Sequence, residues 1–393
     1  MRRYLEVIRS PHLGAMFAAS LLARLPIGIN GLAIVLLLRA ETGSFAVAGA
    51  AAGALALGTG VAAPFAARVI DAAGRRVLPV LAVIHAAGLG GIVALAGPGA
   101  PTAGLIACAA IAGAAFPPAS SVVRVQYPVL LGDRPHLLQS AFALDSVLTE
   151  GIFTIGPLLT AALVATVAPA AALLVSAFAV LAGTLALVAA LPPVVPREQE
   201  RTGGRLGALA APGIRTLVVT MFPVGFAFGA LEVAIPAFAD AHGRPELAGV
   251  LIAIWSVASL AGGLAYGAMP RRGSLTRVHL QVALALPLSF LPLALAVSPA
   301  TMALLVVPAG VLIAPMIATR NELAGKVAPA GTETEAYTWP LTALVGGIAF
   351  GAAASGALSD VTSWQVAVLA AAGAAAVGAL LATARRATLA PAT

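Results

Sequence analysis

The sequence predicts an all-α integral membrane protein of 12 transmembrane helices arranged as two pseudo-symmetric six-helix bundles, and three observations predict it. Hydrophobic residues make up 60% of the chain and charged residues 9%, against roughly 25% charged in a soluble globular protein. Too few polar residues exist to cover a water-facing surface, so lipid must be the outer solvent. Apolar runs long enough to cross a hydrocarbon core, about 20 residues at 1.5 Å each, recur along the whole chain. Between them the basic residues fall in ones to threes, on alternate loops.

In order, the first-half runs are Leu13 to Leu38, Phe45 to Val69, Val77 to Gly97, Thr102 to Val123, Leu137 to Val167 and Ala170 to Leu191. The second half gives Ile214 to Phe238, Leu247 to Met269, Val278 to Val297, Thr301 to Thr319, Ala336 to Leu358 and Trp364 to Ala384. The stretch before the first run, Met1 to Pro11, carries Arg2, Arg3 and Arg9 and reads as the start of an uncleaved first helix. With the amino terminus inside, only Arg39 and Arg244 fall on outer loops and only Arg24 lies deep within a span, Arg68 and Arg215 standing at the inner ends of theirs. Every other Arg and Lys326 is inside, so the positive-inside rule is obeyed. One missed span would reverse the later loops, so the pattern tests the helix count together with the orientation. The expectation is a multi-pass protein of a bacterial inner (plasma) membrane with both termini cytoplasmic.

A net charge of +7 would suggest nucleic acid in a soluble protein. Here the scattered arginines report topology, and no nucleic-acid partner is expected. The lone Cys108 excludes a disulfide framework and a cysteine metal site, and no metal or cofactor is expected.

The longest polar interruption, from Pro192, contains Pro196, a charged run from Arg197 to Arg201 and the pair Gly203-Gly204. It divides the chain into an N-terminal bundle at 1–191, a cytoplasmic linker at 192–213 and a C-terminal bundle at 214–393. The two halves look alike. Pro26 and Gly28 in the first span recur as Pro223 and Gly225 in the seventh, Gly113 recurs as Gly310 at the same offset, and Arg124 as Arg320 one residue short of it. Such a duplicated six-helix unit is a transporter architecture.

The loop after the second span reads Ala67-Arg68-Val69-Ile70-Asp71-Ala72-Ala73-Gly74-Arg75-Arg76. It resembles the signature G-x-L-a-D-r-x-G-r-k of the major facilitator superfamily, with Asp71, Gly74, Arg75 and Arg76 in register and Ala67 and Ala72 departing from it. The resemblance implies the superfamily's twelve-helix fold and a charge network that closes the cytoplasmic side. Asp71 is expected just before a helix amino terminus, where dipole and guanidinium groups stabilise a carboxylate. Arg124 is its expected partner and Arg320 the second-half counterpart, whereas the matching loop at Met269 to Gly273 keeps arginines and has no aspartate. In the fifth span, Gly151-Ile152-Phe153-Thr154-Ile155-Gly156-Pro157 resembles part of the Gly-Pro motif of antiporters in this superfamily. Gly156 and Pro157 are expected to form a bend in the helix.

Ionisable groups within the bilayer are costly and usually serve a pathway or a partner. Arg24 lies deep in the first span, too far in for its side chain to snorkel to the interface. Asp145 and Glu150 on the fifth span are its expected partners. Being five residues apart, they point in different directions and cannot both face one cation. Such a pair, with a carboxylate that takes up and releases a proton, couples transport to proton movement; a static structural ion pair is the alternative. Asn30 is expected to line a cavity with its amide, and Glu232 to stand near the outer end of the seventh span. His85 is read as a satisfied packing histidine. Glu333, Glu335, Tyr337 and Trp339 are read as an interfacial cluster with the aromatics as anchors.

No phosphate-cradling G-x-x-x-x-G-K-[ST] stretch exists, so ATP-driven transport by this chain alone is excluded and the driving force must be an ion gradient. The expected function is a monomeric secondary active transporter moving a small-molecule substrate by alternating access, with proton-coupled efflux of an amphiphilic or drug-like compound. The alternative is an uptake symporter for a sugar, amino acid or organic anion, which Arg24 would suit. A polytopic membrane enzyme needs a convergent His, Asp or Glu constellation, and the five histidines are scattered.

The orientation has a direct check. In a Cys108→Ser background, Glu41→Cys and Ala100→Cys should react with an impermeant maleimide added to intact cells. Ala72→Cys and Arg201→Cys should react only after permeabilisation, and the reverse pattern would invert the topology.

Overall fold

The computed structural model of the chain describes residues 2–192, 204–244, 247–271, 273–361 and 363–390. Among them, 12 helical stretches are long and apolar enough to cross a membrane. A short helix, α1 (Arg2–Arg9), precedes them. It does not continue into the first span as the sequence suggested, because Pro11 disfavours helical backbone at Ser10 and His12 takes a left-handed φ of 67°.

The first span is two helices, α2 (Leu13–Arg24) and α3 (Pro26–Thr42). Pro26 has no N–H to give to Leu22, and the Leu25 N–H reaches the Leu22 carbonyl at 3.3 Å in a tighter turn, so the ladder breaks directly after Arg24. The first half continues with α4 (Phe45–Ala73), α5 (Val77–Leu95), α6 (Thr102–Ala114), α7 (Ala119–Leu130), α8 (Pro135–Thr166) and α9 (Pro169–Ala190). Pro117 and Pro118 separate α6 from α7. The second half contains α10 (Pro212–Ala241), α11 (Leu247–Ala268), α12 (Leu275–Phe290), α13 (Pro299–Val311), α14 (Ile313–Val327), α15 (Glu333–Val361) and α16 (Trp364–Ala384). A capping box of Ser298 and Thr301 starts α13. Of the expected linker, Gly204–Ala210 forms a 3-10 turn. Pro196 and the charged run Arg197 to Arg201 lie outside the described residues.

Two span boundaries need correction. The fourth span continues through Leu130 and the tenth through Val327. Arg124 and Arg320 are therefore inside helices rather than at their ends, and they are 2% and 1% exposed. Hydropathy ends a span at its first arginine, but a helix goes on wherever its polar residues find partners in the protein.

The helices cluster into two compact units. One comprises Val7–Leu130 and Leu148–Gln199, and the other Met1–Glu6, Leu131–Val147 and Glu200–Thr393, so α8 contributes to both. In the first unit, Ile29, Ala33, Ile34 and Leu37 of α3 pack with Leu89 and Ile92 of α5 and Leu105 of α6. In the second, Phe228, Leu231 and Phe238 of α10 pack with Phe290 of α12 and Trp364 of α16.

Lipid tails are as apolar as leucine, so helices in a membrane associate by close packing rather than by expelling water. Glycine supplies that closeness here. A Cβ on Gly156 of α8 would stand 2.6 Å from the Gly28 Cα of α3, nearer than real Cβ contacts come. The second half repeats the contact between α10 and α15, where a Cβ on Gly351 would stand 2.7 Å from the Phe226 Cα and one on Gly229 2.9 Å from the Ile348 Cα. Likewise Gly113 of α6 meets the backbone of Leu55 on α4, and its counterpart Gly310 of α13 meets the backbone of Trp255 on α11. The internal repeat is thus a repeat of packing contacts as well as of letters.

Gly229→Leu should lower the melting temperature of the purified protein, since overpacking of this kind costs about 1–3 kcal/mol. Gly373→Leu should leave it unchanged, because nothing lies within 4 Å of a Cβ at that position.

Candidate functional site

The break in the first span positions Arg24. It is the last residue of α2, is 3% exposed, and donates from Nη2 to the Thr149 hydroxyl on α8. Gly183 of α9 lets the backbone of Ala23 approach closely beside it. Glu150 follows Thr149 directly and is half-buried, whereas Asp145 is fully buried. The structure thus brings Arg24 to the residue next to Glu150. Further along α8, Gly156 makes the contact with Gly28, and Pro157 interrupts the hydrogen-bond ladder just beyond it.

Asn30 is held inside its bundle. Its Nδ2 meets His85 Nε2 at 3.3 Å, and its Oδ1 accepts from the Ser176 hydroxyl at 2.5 Å. His85 Nδ1 lies 2.6 Å from the Ala112 carbonyl oxygen, which can only accept, so that nitrogen carries the proton and Nε2 accepts from Asn30. The chain Ser176 to Asn30 to His85 to Ala112 is satisfied throughout in the neutral state. His85 also stacks edge-on against Phe116, with ring centroids 5.1 Å apart. Glu232, in contrast, is exposed on α10.

Among the residues expected to form a cytoplasmic gate, Asp71 lies in the last turn of α4 rather than before the start of α5. The dipole at a helix carboxyl end opposes a carboxylate, so its stabilisation falls to cations, and Arg68, Arg75 and Arg76 flank it in the chain. Gly74 turns the chain with φ 81°. Arg75 Nη1 donates to the carbonyls of Leu191 and Pro192, both at 3.1 Å, and so caps the end of α9. Arg76 is exposed and Arg124 buried.

The second half has no loop aspartate, yet it has a carboxylate that the sequence reading missed. Glu322 on α14 is buried, with Oε2 2.5 Å from Arg271 Nη2 and Oε1 3.8 Å from Lys326 Nζ. Beside it, Arg320 donates from Nε and Nη2 to Asn321 Oδ1 at 3.0 and 2.5 Å. His279 Nδ1 meets Thr319 Oγ1 at 2.9 Å. The letters Arg320-Asn321-Glu322 carried the signal, and ending the span at Thr319 hid it.

Two further contacts occur in the same unit. Gln139 donates to the carbonyls of Tyr266 and Met269, the latter at 3.1 Å, and Ser140 donates to the Gly267 carbonyl at 2.5 Å. The start of α8 thereby satisfies the carbonyls that the end of α11 leaves without helical partners. Tyr4 of α1 donates to Gly263 and Leu264 of the same helix at 3.1 and 2.7 Å, and burial pushes its hydroxyl up to about 12, so it remains a donor. In the eleventh span the two aromatics differ, Tyr337 being buried and Trp339 half-buried. Tyr337 is buried against Phe142, with centroids 6.2 Å apart, and Trp339 Nε1 donates to Glu335 Oε1 at 3.0 Å.

The sequence model of the Major Facilitator Superfamily matches residues 16–343. Solved transporter structures share the fold at low identity. The human organic anion transporter MFSD10 (TETRAN) is 17% identical with a TM-score of 0.71, and the match covers 97% of this chain and 99% of that one. A bacterial homologue of the iron transporter ferroportin is 15% identical with a TM-score of 0.76, covering 95% and 98%. The E. coli fucose:proton symporter FucP is 15% identical with a TM-score of 0.70, again covering 95% and 98%. No curated protein sequence matches the chain.

Glu322→Gln should lower the melting temperature, because it removes the shared counter-charge of Arg271 and Lys326 and weakens charge-assisted hydrogen bonds of about 1.5–3 kcal/mol. The exposed Glu41→Gln should not, and equal melting of the two variants would show that the buried cluster is not holding α14 in place.

Proposed function

The chain belongs to the Major Facilitator Superfamily, and on that premise we propose that it is a secondary active transporter exporting a small amphiphilic solute by alternating access in exchange for protons. The observation that carries this reading is the break in the first span, which sets the buried Arg24 against Thr149, one residue from Glu150. A guanidinium keeps its charge in any protein environment. The group that titrates is therefore the carboxylate, Glu150 or Asp145.

A solute bearing an amine or another donor competes with the proton for that carboxylate. Competition for one site yields exchange: the proton taken up from outside displaces the solute, and proton loss inside readmits it. Gly156 and Pro157 support the antiport direction through their resemblance to the superfamily's antiporter motif, and the contact of Gly156 with Gly28 supplies a point about which α8 bends. Asp71, Gly74, Arg75, Arg76 and Arg124 in the first half, and Arg320 with Arg271 and Glu322 in the second, are proposed to hold the cytoplasmic side shut between turnovers. Glu232, exposed on α10, is proposed as a further solute contact.

A second reading is favoured by Arg24 itself. An anionic solute would pair with the guanidinium only after the carboxylate is protonated, so proton and solute would bind together and move together. An organic anion transporter is among the structures of the same fold.

Proteoliposomes containing a pH-sensitive dye and given a pH gradient distinguish the two. Solute-dependent proton movement opposite to the solute, abolished in Glu150→Gln or Asp145→Asn, supports exchange. Movement in the same direction supports uptake of an anion. Coupled movement that persists in both variants would remove the carboxylates from the mechanism.

A further inference from the structure

Helix α1 stands apart from the twelve spans and takes no part in the mechanism above. Its eight residues divide into two faces. Tyr4 and Val7, three apart, are buried, whereas Leu5 and Ile8, also three apart, are 51% and 45% exposed. The helix is seated by the two Tyr4 hydrogen bonds to α11, and the turn at Ser10–His12 leads directly into the first span at Leu13. Arg2, Arg3 and Glu6 of this helix line a cavity of about 400 Å³ together with His136 of α8 and Ala268 of α11. That volume is within the range of small-ligand sites, about 300–1,000 Å³.

The cavity carries two guanidinium groups against one carboxylate. Glu6 meets Arg2 at 3.4 Å on an exposed stretch, where solvent screens the pair and the pair holds neither side chain firmly. Positive charge is left over, on a helix that directly precedes the first span. The exposed leucine and isoleucine share the helix with these arginines, and an amphipathic helix of that make-up rests its apolar face at the boundary between headgroups and acyl chains. Basic residues at that depth attract anionic lipid. A free anion would use the arginines and leave Leu5 and Ile8 in water, while a neutral lipid would use Leu5 and Ile8 and ignore the arginines. One ligand chemistry uses both.

We infer that α1 and the cavity lined by Arg2, Arg3 and His136 bind the phosphate of an anionic phospholipid headgroup, with Leu5 and Ile8 lying against its acyl chains. The lipid then steadies α1 where Tyr4 grips the end of α11. Its occupancy sets how firmly that grip holds, so the anionic lipid content of the membrane tunes the protein from outside the solute pathway.

The test uses the full-length purified chain and needs no transported solute, so its outcome is independent of the function proposed above. The protein is exchanged from mixed phosphatidylglycerol and phosphatidylcholine into detergent, and retained lipid is measured by native mass spectrometry. Arg2→Gln/Arg3→Gln should lose retained phosphatidylglycerol roughly tenfold. Leu5→Ser/Ile8→Ser should lose both lipids, and Arg277→Gln, an exposed arginine on α12, should match the wild type. Melting in lipid-free detergent, equal for all four proteins, confirms that each is folded. Retention unchanged in Arg2→Gln/Arg3→Gln would overturn the headgroup site, as would an equal loss in Arg277→Gln, which would point to the general positive charge of that surface. Displacement of the lipid by inorganic phosphate that itself raises the melting temperature would identify a free-anion site instead.

Discussion

Lipid surrounds this chain, and a solvent as apolar as the side chains facing it cannot drive helices together by excluding them. What remains is contact at short range, and the structure is organised around places where two backbones meet. The pairs Gly28 with Gly156 and Gly351 with the Phe226 backbone bring helices closer than any Cβ would allow. The same solution appears in both halves at matching positions. The packing of Gly113 on the Leu55 backbone and of Gly310 on the Trp255 backbone shows that the duplication preserved contacts even where the residues contacted have changed.

The second consequence of a lipid solvent is that polar groups must answer one another inside the protein. Ser176, Asn30, His85 and the Ala112 carbonyl form a sequence of donors and acceptors that closes without a charge. Glu322 instead divides its two oxygens between Arg271 and Lys326. Such groups fasten helices to each other because any other arrangement leaves a buried donor or charge without a partner. Arg24 differs in kind. It sits where Pro26 has already broken the helix, so its environment joins a permanent charge to a segment of backbone that is not fully hydrogen-bonded, and a break of that sort is found in membrane helices where they line a path or a site.

A fold shared with an organic anion transporter, a bacterial homologue of an iron transporter and a fucose:proton symporter does not choose a cargo, because chemistry resides in a few side chains placed on a common frame. For this chain the distinguishing features are the pairing of Arg24 with Thr149 beside Glu150, the buried cluster around Glu322, and the amphipathic helix before the first span. The last of these is seated on the end of α11 through Tyr4.

The sequence by itself determined the membrane setting, the twelve spans, the duplicated plan and the superfamily. Each of these follows from composition, spacing and short motifs that act locally or by counting. It also placed Arg24 deep in a span and marked Gly156 and Pro157, since a charge or a proline in an apolar run is visible wherever the helix packs. Only the tertiary structure decided that Arg124 and Arg320 are buried within helices, that Asp71 ends a helix rather than begins one, that Asn30 is occupied by His85 and Ser176, and that Glu322 is buried between Arg271 and Lys326. The reason is the same in every case. Hydropathy records what a residue costs in lipid, whereas the cost is actually borne or relieved by partners from other helices, and those partners lie tens to hundreds of residues away in the chain.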